Sequence, residues 1–196
     1  MSDHGDPTSA RDQALGAWLD ELGSAAPAPG GGAAAAMSVA TAAALAEMVG
    51  NLTIGRPAYA AHEARGTAVR DAARRLRQRA VEQIDEDAVA FRALMAAYRQ
   101  PRETDEQRAA RGPAVQAATR AAAAVPLDVA ATAAEVIRLA AELPGRSNPN
   151  VLSDVNLATL AGAGARAVLT AQLEGHLAAA AHGRELAGRV RREVAG

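Results

Sequence analysis

Along most of this chain apolar residues return every third or fourth position, the period of one helical face. Leu15, Trp18, Leu19 and Leu22 do so first. Thr8 or Ser9 is placed to cap that helix, and Gly23 ends it. Ala33 to Val49 follows, with no breaker and small or apolar on nearly every side. A helix apolar all round is a buried one. Gly55 and Pro57 interrupt, and a long helix is predicted from about Tyr59 to Tyr98. Its face is Val69, Ala73, Leu76, Ala80, Ile84, Ala88, Phe91, Met95 and Tyr98, with the Arg-rich stretch 70–79 mostly off it. Gln100 and Pro101 stop it, and Thr104 with Glu106 marks a new start. The fourth helix runs from about Thr104 to Leu143, where Pro113 and Pro126 predict kinks or a break. Residues 143–150 carry every turn signal. A last helix spans about Val151 to Val194. Its first half is apolar on most sides and is placed inside, with Gly162 and Gly164 marking close helix packing.

No window alternates as a strand does, and no repeat is present. The pattern predicts one all-α domain over residues 1–196, an antiparallel bundle of about five helices with the long ones dominant. Residues 1–7 read as a disordered start.

Composition sharpens this picture. Alanine dominates, and aromatic residues make up 2% of the chain. Small side chains let helices approach closely but bury little area each, at roughly 25 cal/mol per Å². The core is therefore thin, and a homodimer interface would offset that. All 21 basic residues are Arg, which excludes Schiff-base lysines, lysine-anchored pyridoxal phosphate and a Walker A lysine. Without Cys there is no thiolate catalysis, disulfide or Cys-ligated zinc. A net charge of −1 gives no bulk attraction to nucleic acid or membranes, and no basic face is interleaved with aromatics. Met1 to Asp6 is polar and resembles no leader, so a cytoplasmic location is expected, without a membrane span.

Four stretches carry candidate chemistry. In the first, Pro27-Ala28-Pro29-Gly30-Gly31-Gly32 opens directly into the apolar helix. Its glycines allow another chain or a ligand to lie against the backbone. It reads either as a tight turn between packed helices or as a helix N-terminus able to hold an anion such as a glutamate tail. The second is Asp85-Glu86-Asp87 ahead of Phe91. At about 100° per residue, Asp87 falls on the apolar face, Asp85 on its flank and Glu86 nearly opposite. A buried carboxylate must be paired or hydrogen-bonded, so Asp87 is either half of a structural Asp–Arg pair or functional. Third comes Asn148-Pro149-Asn150 with Ser153 and Asp154 in the first turn of the last helix. There a capping role competes with a chemical one. The fourth, Asn51, Thr53, Arg56 and Tyr59, is either a solvated helix end or a ligand contact. In the second reading an amide and hydroxyl suit a pterin edge and an arginine suits a carboxylate. His4, His62, His176 and His182 are not spaced as a metal set.

Taken together, Pro27 to Gly32, Asn51-Leu52-Thr53-Ile54-Gly55-Arg56, Asp85 to Phe91, Ala97-Tyr98-Arg99-Gln100-Pro101, Ala124 to Leu127 and Asn148 to Asp154 resemble the cyclodeaminase/cyclohydrolase family of folate enzymes. The resemblance covers roughly Leu15 to Val194. It implies a dimeric helical enzyme that hydrolyses 5,10-methenyltetrahydrofolate to 10-formyltetrahydrofolate, without metal or redox cofactor. The alternative is ring closure of 5-formiminotetrahydrofolate with loss of ammonia. A stand-alone chain without a formiminotransferase half favours the cyclohydrolase, by analogy. The resemblance makes Asp154 and Asp87 the catalytic candidates, one as base and one orienting. It makes Gly30, Gly31, Gly32, Asn51, Thr53, Arg56, Tyr59, Asp85, Asn150 and Ser153 the substrate contacts. Thr170 and Glu174 stand where the family usually has two asparagines. That departure keeps two other classes in view: a non-catalytic helical assembly protein, and an enzyme for another amidine or cyclic imine.

Overall fold

The computed structural model describes residues 9–179, and among them it contains helices and no strand. The helices are α1 (Leu15–Leu22), α2 (Gly31–Asn51), α3 (Glu63–Tyr98), α4 (Asp105–Ala141) and α5 (Leu152–Ala179), with short 3-10 turns at Pro57–His62 and Pro149–Val151. The expectations for residues 1–7, for Thr8, for His4 and His182, and for the helix beyond residue 179 lie outside the described residues, as does the side chain of His176.

The axis of the bundle is α2. Ala33, Ala36, Val39, Ala42, Ala43, Ala46 and Val49 are fully buried on it, and it packs against α3, α4 and α5. It is long and apolar enough to cross a membrane by length and composition, and it is the helix that the other three long ones enclose. Its small side chains set the spacing. A Cβ on Gly50 would lie 2.8 Å from the Cβ of Arg70, so α2 and α3 cross there almost backbone to backbone. The two helices run antiparallel. Ala33 meets Asp87, and Glu47 meets Arg74 and Arg77. α4 returns along α3, with Arg79 Nη2 4.0 Å from Asp128 and Arg111 donating to the Tyr98 carbonyl. α5 begins beside the C-terminal end of α2.

Several expectations change. Ser9 does not cap α1: the N-cap is Ala14, and the Ser9 hydroxyl reaches Asp85 instead. Thr104 does start α4, and its capping-box partner is Gln107, three residues on, rather than Glu106. Pro113 and Pro126 leave α4 unbroken over 37 residues. Each proline removes one helical hydrogen bond, and packing against α3 and α5 holds the rest. On α3 the buried stripe drifts from the expected Phe91, Met95 and Tyr98 to Leu94 and Ala97. Gly162 does mark close packing, since a Cβ there would meet Ile137 Cγ1 at 2.9 Å, whereas Gly164 faces open space. The first half of α5 is enclosed on one side only: Val155, Ala158 and Ala165 are buried in the core, whereas Leu152, Leu157 and Leu160 are 45%, 53% and 69% exposed.

Candidate active site

The helix-opening glycines do not form a flexible loop. Gly31 and Gly32 are the first residues of α2, and neither has a positive φ. Gly32 is needed for space instead. A Cβ there would lie 2.6 Å from Asp87 Cγ and 2.9 Å from Oδ2, closer than real Cβ atoms approach. With no side chain in the way, Asp87 Oδ2 accepts the Ala33 amide N–H at 3.0 Å. The first amides of a helix lack partners within it and carry the positive end of its dipole, so a carboxylate is stabilised there. The helix N-terminus read as an anion site is thus occupied by the protein's own anion. A substrate carboxylate at this end would compete with Asp87 for the Ala33 amide. Beside it lies a pocket of about 160 Å³ lined by Pro27, Gly30, Gly31, Asp87, Phe91 and Ala122.

Asp85 has other work. Its Oδ2 accepts the Ser9 hydroxyl at 2.6 Å and its Oδ1 the Ala10 amide at 2.9 Å. Both oxygens clasp the segment ahead of α1, so the substrate contact expected of Asp85 is replaced by an anchoring role. A second pocket, of about 310 Å³, opens beside this clasp against Trp18, Pro29 and Val89.

The other candidates gather at the far end of α2. Thr53 is 2% exposed. Its hydroxyl donates to the Val49 carbonyl at 2.7 Å and accepts the Asn148 amide at 3.3 Å. That hydroxyl is therefore committed to the fold and does not face a pterin. Asn148 is the node of this end: its Oδ1 accepts the Asn150 amide at 3.1 Å and the Tyr59 hydroxyl at 3.5 Å. Asp154 is half-buried in the first turn of α5, while Asn51, Arg56, Asn150 and Ser153 are exposed. In α5 the Thr170 hydroxyl donates to the Arg166 carbonyl at 3.0 Å, and Glu174 is exposed. Among the described residues no group of three or more His, Asp or Glu is placed to hold a metal ion.

The candidates thus form two clusters, not one. Asp87 sits at the first turn of α2, and the Thr53–Asn148 contact lies just past its last turn. A helix of 21 residues is about 30 Å long at 1.5 Å per residue. Within one chain Asp87 and Asp154 therefore lie towards opposite ends of α2. Sequence reasoning also passed over the buried amide Gln83, Asn148 as a node, and Glu47. Glu47 is 8% exposed and bonds Arg74 Nε at 2.8 Å and Arg77 Nε at 2.9 Å. Burial tends to raise the pKa of its carboxyl, but the two arginines outweigh this and hold it below the ordinary value of 4.5.

Comparison with known proteins agrees with this architecture. The family model described as formiminotransferase-cyclodeaminase matches residues 14–173. A methenyltetrahydrofolate cyclohydrolase from Methylorubrum extorquens is 43% identical over 151 residues, 77% of this chain and 73% of that protein. The rat formimidoyltransferase-cyclodeaminase is 35% identical over 161 residues, 82% of this chain and 30% of that longer protein. The crystal structure of formiminotetrahydrofolate cyclodeaminase from Thermotoga maritima superposes with a TM-score of 0.75 at 26% identity, covering 85% of this chain and 79% of that one.

Proposed function

The chain belongs to the formiminotransferase-cyclodeaminase family, and from that premise we propose that it is a methenyltetrahydrofolate cyclohydrolase. The likeness to the Methylorubrum cyclohydrolase over most of both chains carries the choice of reaction. Asp87 at the glycine-walled end of α2 supplies a matching geometry. The substrate carbon lies between two nitrogens in a delocalised cation. Water adds to that carbon, its bond to one nitrogen breaks, and a formyl group remains on the other with release of one proton. In this reading the Asp87 carboxylate faces the cation and takes the proton from water. The carbon keeps its oxidation level, so the step calls for no redox cofactor.

The Thermotoga and rat relatives favour a second reading, cyclodeamination of formiminotetrahydrofolate. One assay separates them. Decay of the methenyltetrahydrofolate absorbance band is followed with the protein, with Asp87→Asn and with Asp154→Asn, because the compound also hydrolyses unaided. Acceleration lost in Asp87→Asn is the expected result. Acceleration lost only in Asp154→Asn moves the site to the other end of α2. No acceleration over both variants discards the cyclohydrolase, and the band is then sought as a product of formiminotetrahydrofolate.

A homodimer and a cytoplasmic setting belong to the same reading. The dimer is supported by the exposed Leu152, Leu157 and Leu160 of α5, which the described residues leave uncovered. Light scattering should give twice the chain mass, reduced to one chain mass by Leu160→Arg. A monomeric wild type at micromolar concentration would refute it.

A further inference from the structure

The pocket at Asp87, about 160 Å³, does not hold the whole of the proposed substrate. Cavities that enclose a drug-sized ligand measure about 300–1,000 Å³. A tetrahydrofolate derivative carries its reacting carbon towards one end and the carboxylates of a glutamate tail at the other, with a benzoyl group between. The tail therefore lies outside this pocket. Farther along α3 two larger cavities open, of about 310 and 410 Å³, and Ala10 and Ile84 line both. The first carries Arg92 but also Glu21 and Asp85, two carboxylates. In the second the charged residues are Arg11 and Arg77, with Gln78 beside them and Met37, Val81 and Ile84 as its apolar lining. Arg77 stands ten positions before Asp87, roughly 15 Å along the helix at 1.5 Å per residue.

We propose that the cavity between Arg11 and Arg77 is the subsite for the substrate's glutamate tail, the two guanidinium groups holding its carboxylates. This rests on the folate reading above. Arg77 donates its Nε to Glu47 at 2.9 Å, and among the described residues its hydrogen bonds end there. The Nη1–Nη2 edge remains for a ligand, and that edge fits a carboxylate with two parallel bonds. Glu47 does not depend on Arg77 alone, since Arg74 Nε also donates to it at 2.8 Å. Arg11 is held loosely: its Nη2 lies 3.8 Å from Glu82, and both side chains are more than half exposed. Such a pair contributes little, so Arg11 turns to a ligand at small cost. Glu82 keeps a second cation, Arg79 Nη1 at 3.6 Å. The apolar lining suits the methylenes of a glutamate chain, and the Gln78 amide suits its peptide groups.

The test is calorimetry with p-aminobenzoyl-triglutamate, a tail without the reacting carbon. It is run on wild type, Arg11→Gln, Arg77→Gln and Arg75→Gln, the last an exposed arginine of α3 outside the cavity. Wild type should bind the fragment and not p-aminobenzoate. Affinity should fall about tenfold or more in Arg11→Gln and in Arg77→Gln, the scale of one charge-assisted hydrogen bond, and stay within about twofold in Arg75→Gln. Thermal melting accompanies each variant. Arg11 has no buried partner, so Arg11→Gln carries the test if Arg77→Gln melts early. In the methenyltetrahydrofolate assay, Arg11→Gln should raise KM for a triglutamate substrate about tenfold and leave kcat within about twofold. No binding of the fragment to wild type, binding unchanged in Arg11→Gln, or an equal loss in Arg75→Gln overturns the proposal. A kcat that falls with KM unchanged also overturns it. A wild type that binds the fragment with the expected losses but does not hydrolyse methenyltetrahydrofolate removes the cyclohydrolase reading and leaves the subsite standing. An active wild type that ignores the fragment does the reverse.

Discussion

Gly32→Ala tests whether the glycine-rich opening exists to admit Asp87. The new methyl would lie 2.6 Å from Asp87 Cγ and 2.9 Å from Oδ2. No backbone strain is involved, because the positive φ angles belong to Gly55 and Gly145. Asp87 must therefore swing away and lose its 3.0 Å bond to the Ala33 amide. A charge-assisted hydrogen bond is worth about 1.5–3 kcal/mol. Alanine returns up to about 1 kcal/mol of helix propensity. The net cost is then roughly 0.5–2 kcal/mol. With Asp87→Ala already in place the obstacle is gone, and the same substitution should stabilise by up to about 1 kcal/mol. Urea denaturation of the four proteins gives the cycle, with an expected coupling of roughly 1.5–3 kcal/mol. The hydrolysis rate of Gly32→Ala alone should fall about a hundredfold, the scale of a misplacement near 1 Å. If the two substitutions add to within about 0.5 kcal/mol, Gly32 and Asp87 are independent and the reasoning is wrong.

Other outcomes follow from the same contacts. Thr53→Val keeps the shape but leaves the buried Asn148 amide without its 3.3 Å acceptor. It should cost about 1–3 kcal/mol in denaturant titration, and a variant as stable as wild type would refute the Thr53–Asn148 clasp. Asp85→Ala removes both bonds to residues 9 and 10. Cleavage by trypsin after Arg11 should accelerate about tenfold or more, and an unchanged rate would show that the segment is held by other contacts. The Glu47 carboxyl titrates below its ordinary 4.5 when folded. Its contribution is therefore complete above the unfolded value and is lost as pH falls through the lower folded one. The fall in stability between pH 6 and pH 3 should be smaller in Glu47→Gln than in wild type, and equal falls would remove Glu47 from the acid response.

Much of this molecule was legible as a string. The three- and four-residue returns marked α3 and α4, and the absence of breakers from Ala33 to Val49 marked α2. The spaced motifs pointed to the family before any contact was known. Those signals are local, set by backbone propensities and by which side of one helix is apolar. What the string left open was decided between helices. That Gly32 is bare to admit a carboxylate 55 positions away, that Asp85 faces Ser9 while Asp87 faces Ala33, and that Gln83 is buried without a partner all depend on the register at which α3 crosses α2. A 3.6-residue period names a face but not the residue opposite it. The same holds for the two candidate aspartates. They share a chemistry in the sequence and are parted by the length of α2 in the fold, because helices that pack along their whole length carry their two ends far apart.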